Sequence, residues 1–526
     1  MSEQIHTSRG FTTQVPLNLI SNIAYFLVNI VIGILLVPYF ISTLGVAAYG
    51  LIPLATSITG YVTIVIDSLN TSVSRFLTVD LHHEDYEGAN RTFNTALFGL
   101  SAIIALMIPV AIGVSLFVPV LFHVPSGQET GMTLLFIGVC MAFFIRAWSG
   151  NFTVQLFAYN RIDLQNLVNC INLIVQTGLI VIFFFFYGPN IALIGGSYLI
   201  GAIVASVVSI ILAKRVCPHL RISFHSFDRS KVREIFDMSW WVVINQIGSL
   251  LFLQIDLIVV NLIFGATATG QYAIAFQWSS LLRAIAGVLA FVLTPVVLIY
   301  YARRQTDSLI QISKSAVKLM GLAMALPIGL VCGFAPQLLT IWVGPQFAFL
   351  SLLMIILTVH LVINLAVLPL FAINVAYNEV RVPGIVTLIM GIGNFALAIA
   401  LSIYTGWGYY GVAIAGAIVL TLKNAFFIPW YATRVLGIGA HTFTRSMIPG
   451  IVATGFIGIL SVILRTFFPV ATLMTLIIAG SVISLVYLVV TWLVGLSMFE
   501  RDLFVMHLPE KVKRFVNEIP CYCKDR

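Results

Sequence analysis

Residues 190–213 read NIALIGGSYLIGAIVASVVSIILA, a run without a charged side chain, and Lys214-Arg215 follow at once. A helix needs about 20 consecutive apolar residues to cross the hydrocarbon layer of a bilayer, so this run can span one. Similar runs recur through the 526-residue chain, and about fourteen spans can be marked, among them 15–40, 50–76, 238–263, 271–301 and 349–376. Composition agrees: 60% of the residues are hydrophobic and 9% charged, against roughly 25% charged in an average soluble domain. The runs are long and continuous, whereas barrel strands show about ten residues of alternating polarity. The fold class predicted is therefore an all-α polytopic membrane protein. The first span follows a polar stretch and carries Asn18, Asn22 and Asn29, so it reads as a retained helix and not as a signal peptide.

Basic residues set the orientation, because short cytosolic loops are enriched in Lys and Arg. With fourteen spans and the N-terminus inside, 22 of the 27 Lys and Arg residues fall on one face, and Arg465 alone falls on the other. Both termini are then expected in the cytosol and the chain in the cell membrane. The formal charge of +8 follows from this topology and from anionic inner-leaflet lipid, with no nucleic-acid partner required.

An internal repeat organises the chain. Gly45-Val-Ala-Ala-Tyr-Gly50 recurs as Gly265-Ala-Thr-Ala-Thr-Gly270, and Ala158-Tyr159-Asn160 as Ala376-Tyr377-Asn378. Tyr187-Gly188 and Gly196 likewise match Trp407-Gly408 and Gly416. The spacing corresponds to six helices, so the copies share one orientation. The expected domains are an N-terminal lobe of six spans (1–214), a cytosolic link (215–237), a C-terminal lobe of six spans (238–434), two appended spans (435–497) and a basic amphipathic tail (498–526). Transporters place substrate at such repeat interfaces and rock one half against the other.

Polar residues inside spans usually face a bundle interior or a watery cavity. Asn18, Asn22, Tyr25 and Asn29 fall on one face of the first span and are expected to line a cavity, as are Asn70 in the second span and Asn245 in the seventh. Joining helices through hydrogen bonds is the alternative for each. Six ionisable residues also lie within spans: Arg75, Arg146, Arg283 and Lys423 against Asp67 and Asp256. An Arg or Lys at a helix centre costs about 2.5–3.5 kcal/mol, so the cations need a reason. Arg75, near the cytosolic end, can also snorkel. Pairing with both aspartates leaves about two positive charges, a surplus that suits a diphosphate. Asp67 and Asp256 are candidates for proton or sodium coupling or for charge pairing.

No phosphate loop, H-E-x-x-H or G-x-S-x-G occurs in the chain, so a transporter is expected and not an enzyme. No cofactor is expected. Cys521 and Cys523 form a lone C-x-C without a second ligand pair, so no metal site is expected either.

Segments 37–60 and 256–274 resemble the polysaccharide-transporter branch of the multidrug, oligosaccharidyl-lipid and polysaccharide exporter superfamily, as does Leu338 to Phe347, LLTIWVGPQF. The resemblance implies two six-helix lobes, two extra helices, and flipping of a polyprenyl-diphosphate-linked oligosaccharide such as an O-antigen unit. It further implies that Arg75 and Arg283 contact the diphosphate, with Arg146 and Lys423 added on charge and depth. A glycan polymerase or glycosyltransferases are the protein partners it suggests. The first span has no Arg, which separates the chain from the lipid II flippases. The competing expectations are a cation-coupled multidrug exporter of the same superfamily and a membrane-embedded glycosyltransferase. The second is disfavoured by the repeat and by the absence of any sizeable extramembrane domain.

Overall fold

The computed structural model describes residues 11–232, 247–248, 250–252, 254–377 and 379–505, and among these there is no β-strand. The helices are α1 (Phe11–Leu44), α2 (Val46–His82), α3 (Tyr86–Leu121), α4 (Glu129–Ala158), α5 (Ile162–Tyr187), α6 (Ile191–Val216) and α7 (Ile255–Ala302). Then come α8 (Thr306–Gly333), α9 (Ala335–Trp342), α10 (Ser351–Val359), α11 (Leu361–Ala366), α12 (Leu370–Ala376) and α13 (Arg381–Tyr404). The series closes with α14 (Tyr409–Leu422), α15 (Ile428–Leu436), α16 (Thr442–Phe467), α17 (Leu473–Val490) and α18 (Met498–Val505).

Among the described residues, 12 helices are long and apolar enough to cross a membrane. The expected all-α membrane fold is therefore observed, with a count that differs from fourteen at two places. α2 enters as the shorter apolar helix Val46–Gly60, the side chains of residues 61–69 lying outside the described set, and Leu250–Ala290 counts as one run. That run is broken at Gly265, whose φ of 82° and ψ of −178° are not helical. Gly45, between α1 and α2, has nearly the same φ of 83°. Only glycine adopts this backbone without strain, which explains why both copies of the repeat begin with it.

The chain divides into two compact units. One comprises the described residues up to Ala273 together with Thr387–Phe395; the other comprises Ile274–Val386 and the described residues from Ala396 onward. In the first unit α4 and α6 pack along their length. A Cβ on Gly138 would overlap the backbone of Gly195 on α6, so the two backbones touch, as small residues allow between membrane helices. The second glycines of the repeated motif meet in the same way. A Cβ on Gly270 would run into the carbonyl of Val46, and one on Gly50 into the backbone of Gly270. Residues 387–395 join this unit because Gly248 packs against the Leu388 backbone and Asn394 donates to the Leu251 carbonyl at 3.1 Å.

The first half of the link after α6 lies along α3. Asn90 donates to the His219 carbonyl at 3.0 Å and accepts from Arg221 N at 2.8 Å. One turn later, Asn94 donates to the Arg221 carbonyl at 2.9 Å and accepts from Ser223 N at 2.8 Å. Thr95 accepts from Asp228 N at 3.0 Å. Each asparagine thus satisfies both a C=O and an N–H of chain that forms no helix or sheet of its own there. Asp228 is held below the usual carboxylate range by its hydrogen bonds from Ser230. Residues 233–246, the rest of the link and the start of the expected seventh span, lie outside the described residues, as does the tail from residue 506.

In the second unit α8 packs along α16, and a Cβ on Gly450 would overlap the Gly321 backbone. Tyr487 ties α17 to α8 by donating to the Leu322 carbonyl at 2.8 Å. The expected span at 349–376 is not one helix but three, α10 to α12, with breaks at His360 and at 367–369. Pro369 accounts for the second break, since it has no N–H to give to the helix ladder. The 338–347 signature forms α9 and a turn at Gly344, and its Trp342 packs edge-on against Trp278 of α7, ring centroids 5.3 Å apart.

Candidate substrate-binding site

The polar stripe on α1 changes character along its length. Asn18 is buried, and its whole amide is engaged. Its Nδ2 donates to the carbonyl of Asn160 at 2.9 Å and to Oδ1 of Asn160 at 3.0 Å. Its Oδ1 accepts from Gln14 at 2.9 Å and from Asp163 N at 3.1 Å. Asn160 closes α4 with a φ of 55°, a left-handed conformation that asparagine tolerates better than most residues. Asn22 accepts from Asn166 of α5 at 2.7 Å. These two asparagines therefore join α1 to the α4–α5 turn.

Further along the stripe the surroundings open. Asn29 is exposed, and Tyr25 is an electrostatic neighbour of Arg146. Arg146 sits near the middle of α4 and is also exposed; its Nη2 donates to Asn169 of α5 at 2.8 Å. Among the described residues that is its one side-chain hydrogen bond, and it has no ion pair. A guanidinium has five N–H donors, so most of them are uncommitted among the described residues, within a span where charge is costly.

The remaining expected residues of the first unit fall into two groups. Asn70 lies over Gly150, where a Cβ would come within 3.0 Å of its Nδ2. Asp256 is buried in the first turn of α7 and accepts from the Tyr272 hydroxyl at 2.8 Å. Asp67 and Arg75 are on α2, but their side chains lie outside the described set, and Asn245 lies outside it altogether.

The second unit holds a cluster of its own. Arg283 on α7 is half-buried, and its Nε donates to Ser279, one turn back, at 3.4 Å. Its electrostatic neighbour is His360, at the break between α10 and α11. The Asn364 amide is hydrogen-bonded to Nδ1 of that ring at 2.6 Å. The α11 segment packs on the turn that begins at Lys423. Lys423 is buried, opens a π-helical turn over Lys423–Phe427, and lies 6.0 Å from the Phe371 ring centroid. Such a contact with a ring face offsets part of the cost of a desolvated ammonium. π-turns inside helices occur often at functional sites. His360, Asn364 and Phe371 were not singled out from the sequence. The signal was present, since a histidine inside an apolar span is a functional candidate by default.

Arg283 and Lys423 thus both border the α11 segment of the second unit, while Arg146 stands with Tyr25 and Asn169 in the first. Solved structures that share this fold include the lipid II flippase MurJ in an inward closed conformation, with a TM-score of 0.61 and 16% identity, covering 92% of this chain and 99% of that one. They also include an inward-facing multidrug resistance MATE family transporter, with a TM-score of 0.59 and 17% identity, covering 82% of this chain and 96% of that one. The chain is thus a helical membrane bundle with cations buried or set deep in its spans, and it shares its fold with these solved proteins. It belongs to the polysaccharide biosynthesis protein family, which it matches over residues 17–298. The uncharacterized membrane protein EpsK of Bacillus subtilis (strain 168) is 32% identical over 502 residues, covering 95% of this chain and 99% of that one. The resemblance read from segments 37–60 and 256–274 is borne out at the level of the family.

Proposed function

We propose that the protein flips a polyprenyl-diphosphate-linked oligosaccharide across the cytoplasmic membrane by alternating access of its two repeats, with both termini and the 215–237 link in the cytosol. The observation that carries this reading is Arg146, an exposed guanidinium near the centre of a membrane helix with most of its donors uncommitted among the described residues. Planar paired donors match the oxygens of a diphosphate, and Arg283 and Lys423 add further positive charge in the second unit. Membership of a polysaccharide biosynthesis family supports the glycan part of the substrate. No step needs chemistry on the substrate, so the protein acts as a carrier and not as an enzyme.

The test is to identify lipid co-purified with the wild-type protein by mass spectrometry and to measure flipping of a polyprenyl-diphosphate glycan in proteoliposomes. Arg146→Ala and Arg283→Ala are expected to purify as folded protein and to lose at least tenfold in flipping rate, the equivalent of about 1.4 kcal/mol. Arg146→Lys should recover only part of it, because an ammonium cannot make the planar two-pronged contact. Wild-type flipping rates in both Ala variants would remove the proposal. The competing reading is a cation-coupled drug exporter, to which the buried Asp256–Tyr272 pair lends an acidic site. Under it, Asp256→Asn abolishes uptake of organic cations, and the arginine variants do not.

A further inference from the structure

Away from this cluster, the second unit contains a recess of about 1130 Å³ between the first turns of α8 and α16 and the start of α18. Its charged lining is Asp307, Lys314, Lys318, Arg445 and Glu500. Two of these charges cancel. Lys318 pairs with Glu500 at 2.6 Å, and Glu500 also accepts from Ser497 N at 2.9 Å at the start of α18. Asp307, in the first turn of α8, remains as one negative charge. Lys314 and Arg445 outnumber it, so the recess keeps a net positive charge. Both are exposed within the recess, and neither has an ion-pair partner among the described residues. The N-terminus of α16, which opens into the same recess, has no side-chain cap, so its partial positive charge adds to theirs.

The wall of α16 shows what kind of anion fits. From Arg445, steps of three, seven, eleven and fourteen residues reach Ile448, Val452, Phe456 and Ile459, a single helical stripe. They are 54%, 65%, 42% and 64% exposed. One continuous face therefore runs from a guanidinium into a row of apolar side chains that the protein leaves uncovered. A free phosphate uses only the first part of that face; a phospholipid uses all of it.

We propose that this recess binds the headgroup of an anionic bilayer phospholipid, with Lys314 and Arg445 on phosphodiester oxygens and an acyl chain along the Ile448–Ile459 stripe. Basic pockets between membrane helices suit such headgroups, and each Lys or Arg strengthens the attraction. The site is separate from the Arg283–Lys423 cluster and does not depend on what the protein transports.

Full-length protein in detergent tests it, with cardiolipin, phosphatidylglycerol and phosphatidylcholine as probes, bound lipid read by native mass spectrometry and stability by thermal shift. Wild type should retain cardiolipin and phosphatidylglycerol in preference to phosphatidylcholine and melt higher with them. Lys314→Ala with Arg445→Ala should weaken cardiolipin binding about thirtyfold, each single variant by an intermediate amount. Arg215→Ala, exposed but outside the recess, should change nothing. The single variants remove one exposed side chain each, so the proposal stays testable if the double variant purifies poorly. Undiminished cardiolipin binding in the variants, equal binding of phosphatidylcholine, or the same thermal shift from inorganic phosphate alone overturns the proposal. Displacement of cardiolipin by polyprenyl diphosphate would assign the recess to the substrate instead and overturn it too.

Discussion

Asn18 and Arg146 are both polar residues of membrane helices, and their neighbours give them different work. The Asn18 amide answers a carbonyl, a side chain and an N–H at the α4–α5 turn. Asn18→Ala leaves those groups without a partner and should cost about 1–3 kcal/mol. Lower yield of folded protein and a lower melting temperature are expected, with flipping per folded molecule unchanged. A flipping defect at full stability would mean that Asn18 belongs to the transport path. Arg146→Ala should behave in the opposite way, since among the described residues its one side-chain hydrogen bond is to Asn169, and a costly charge is removed. Comparing the two variants separates residues that hold the bundle from residues that face the substrate.

At the scale of elements, the α4–α6 contact depends on bare backbone. Gly138→Ala places a methyl group on the Gly195 backbone, which a close-packed interface absorbs only by shifting, at about 1–3 kcal/mol. Gly178 on α5 is a matched control, because a Cβ there meets nothing within 4 Å. Gly178→Ala should be neutral or stabilising by up to ~1 kcal/mol through helix propensity. Thermal unfolding in one detergent compares the two; equal melting temperatures would refute the packing argument. The clamp of α3 on the link is a second element-scale case. Asn94 has no exposed surface, and Asn94→Ala strips both of its bonds to 221–223. Faster hydrogen exchange at 219–228 is expected, with the remaining helices unaffected.

For the whole molecule, the distribution of Lys and Arg carries the orientation. Ser126 lies between α3 and α4 and His225 in the link, and both are exposed. Single cysteines at these positions, in a background without the native thiols, should be labelled by an impermeant reagent from opposite sides of the membrane. Labelling from one side would overturn the alternation of basic loops. The count of spans bears on the same point. Twelve runs qualify by length and composition among the described residues. One difference from fourteen lies at Gly265, where two expected spans form a single run; the other falls on α2, where the side chains of residues 61–69 lie outside the described set.

The membrane class was decided by sequence alone, because hydrophobic length is a local property that any bilayer reads the same way. The turns at the two matched glycines were legible for a related reason: Gly45 and Gly265 both need a positive φ, and that need is written into residue type. The roles of the polar residues were not legible. Asn18 and Asn29 share one stripe of α1, yet one is buried against α4 and α5 and the other is exposed. Which outcome a residue meets depends on how neighbouring helices are rotated and how far they extend, and periodicity within one helix carries no information on either. The placement of His360 beside Arg283, on another helix, is likewise a tertiary matter, whereas Asn364 reaches it from one turn along. Pro369 announces only the second interruption in 349–376. The interruption at His360 has no comparable signal in the sequence, and which residue of α7 stands beside it depends on how that helix packs.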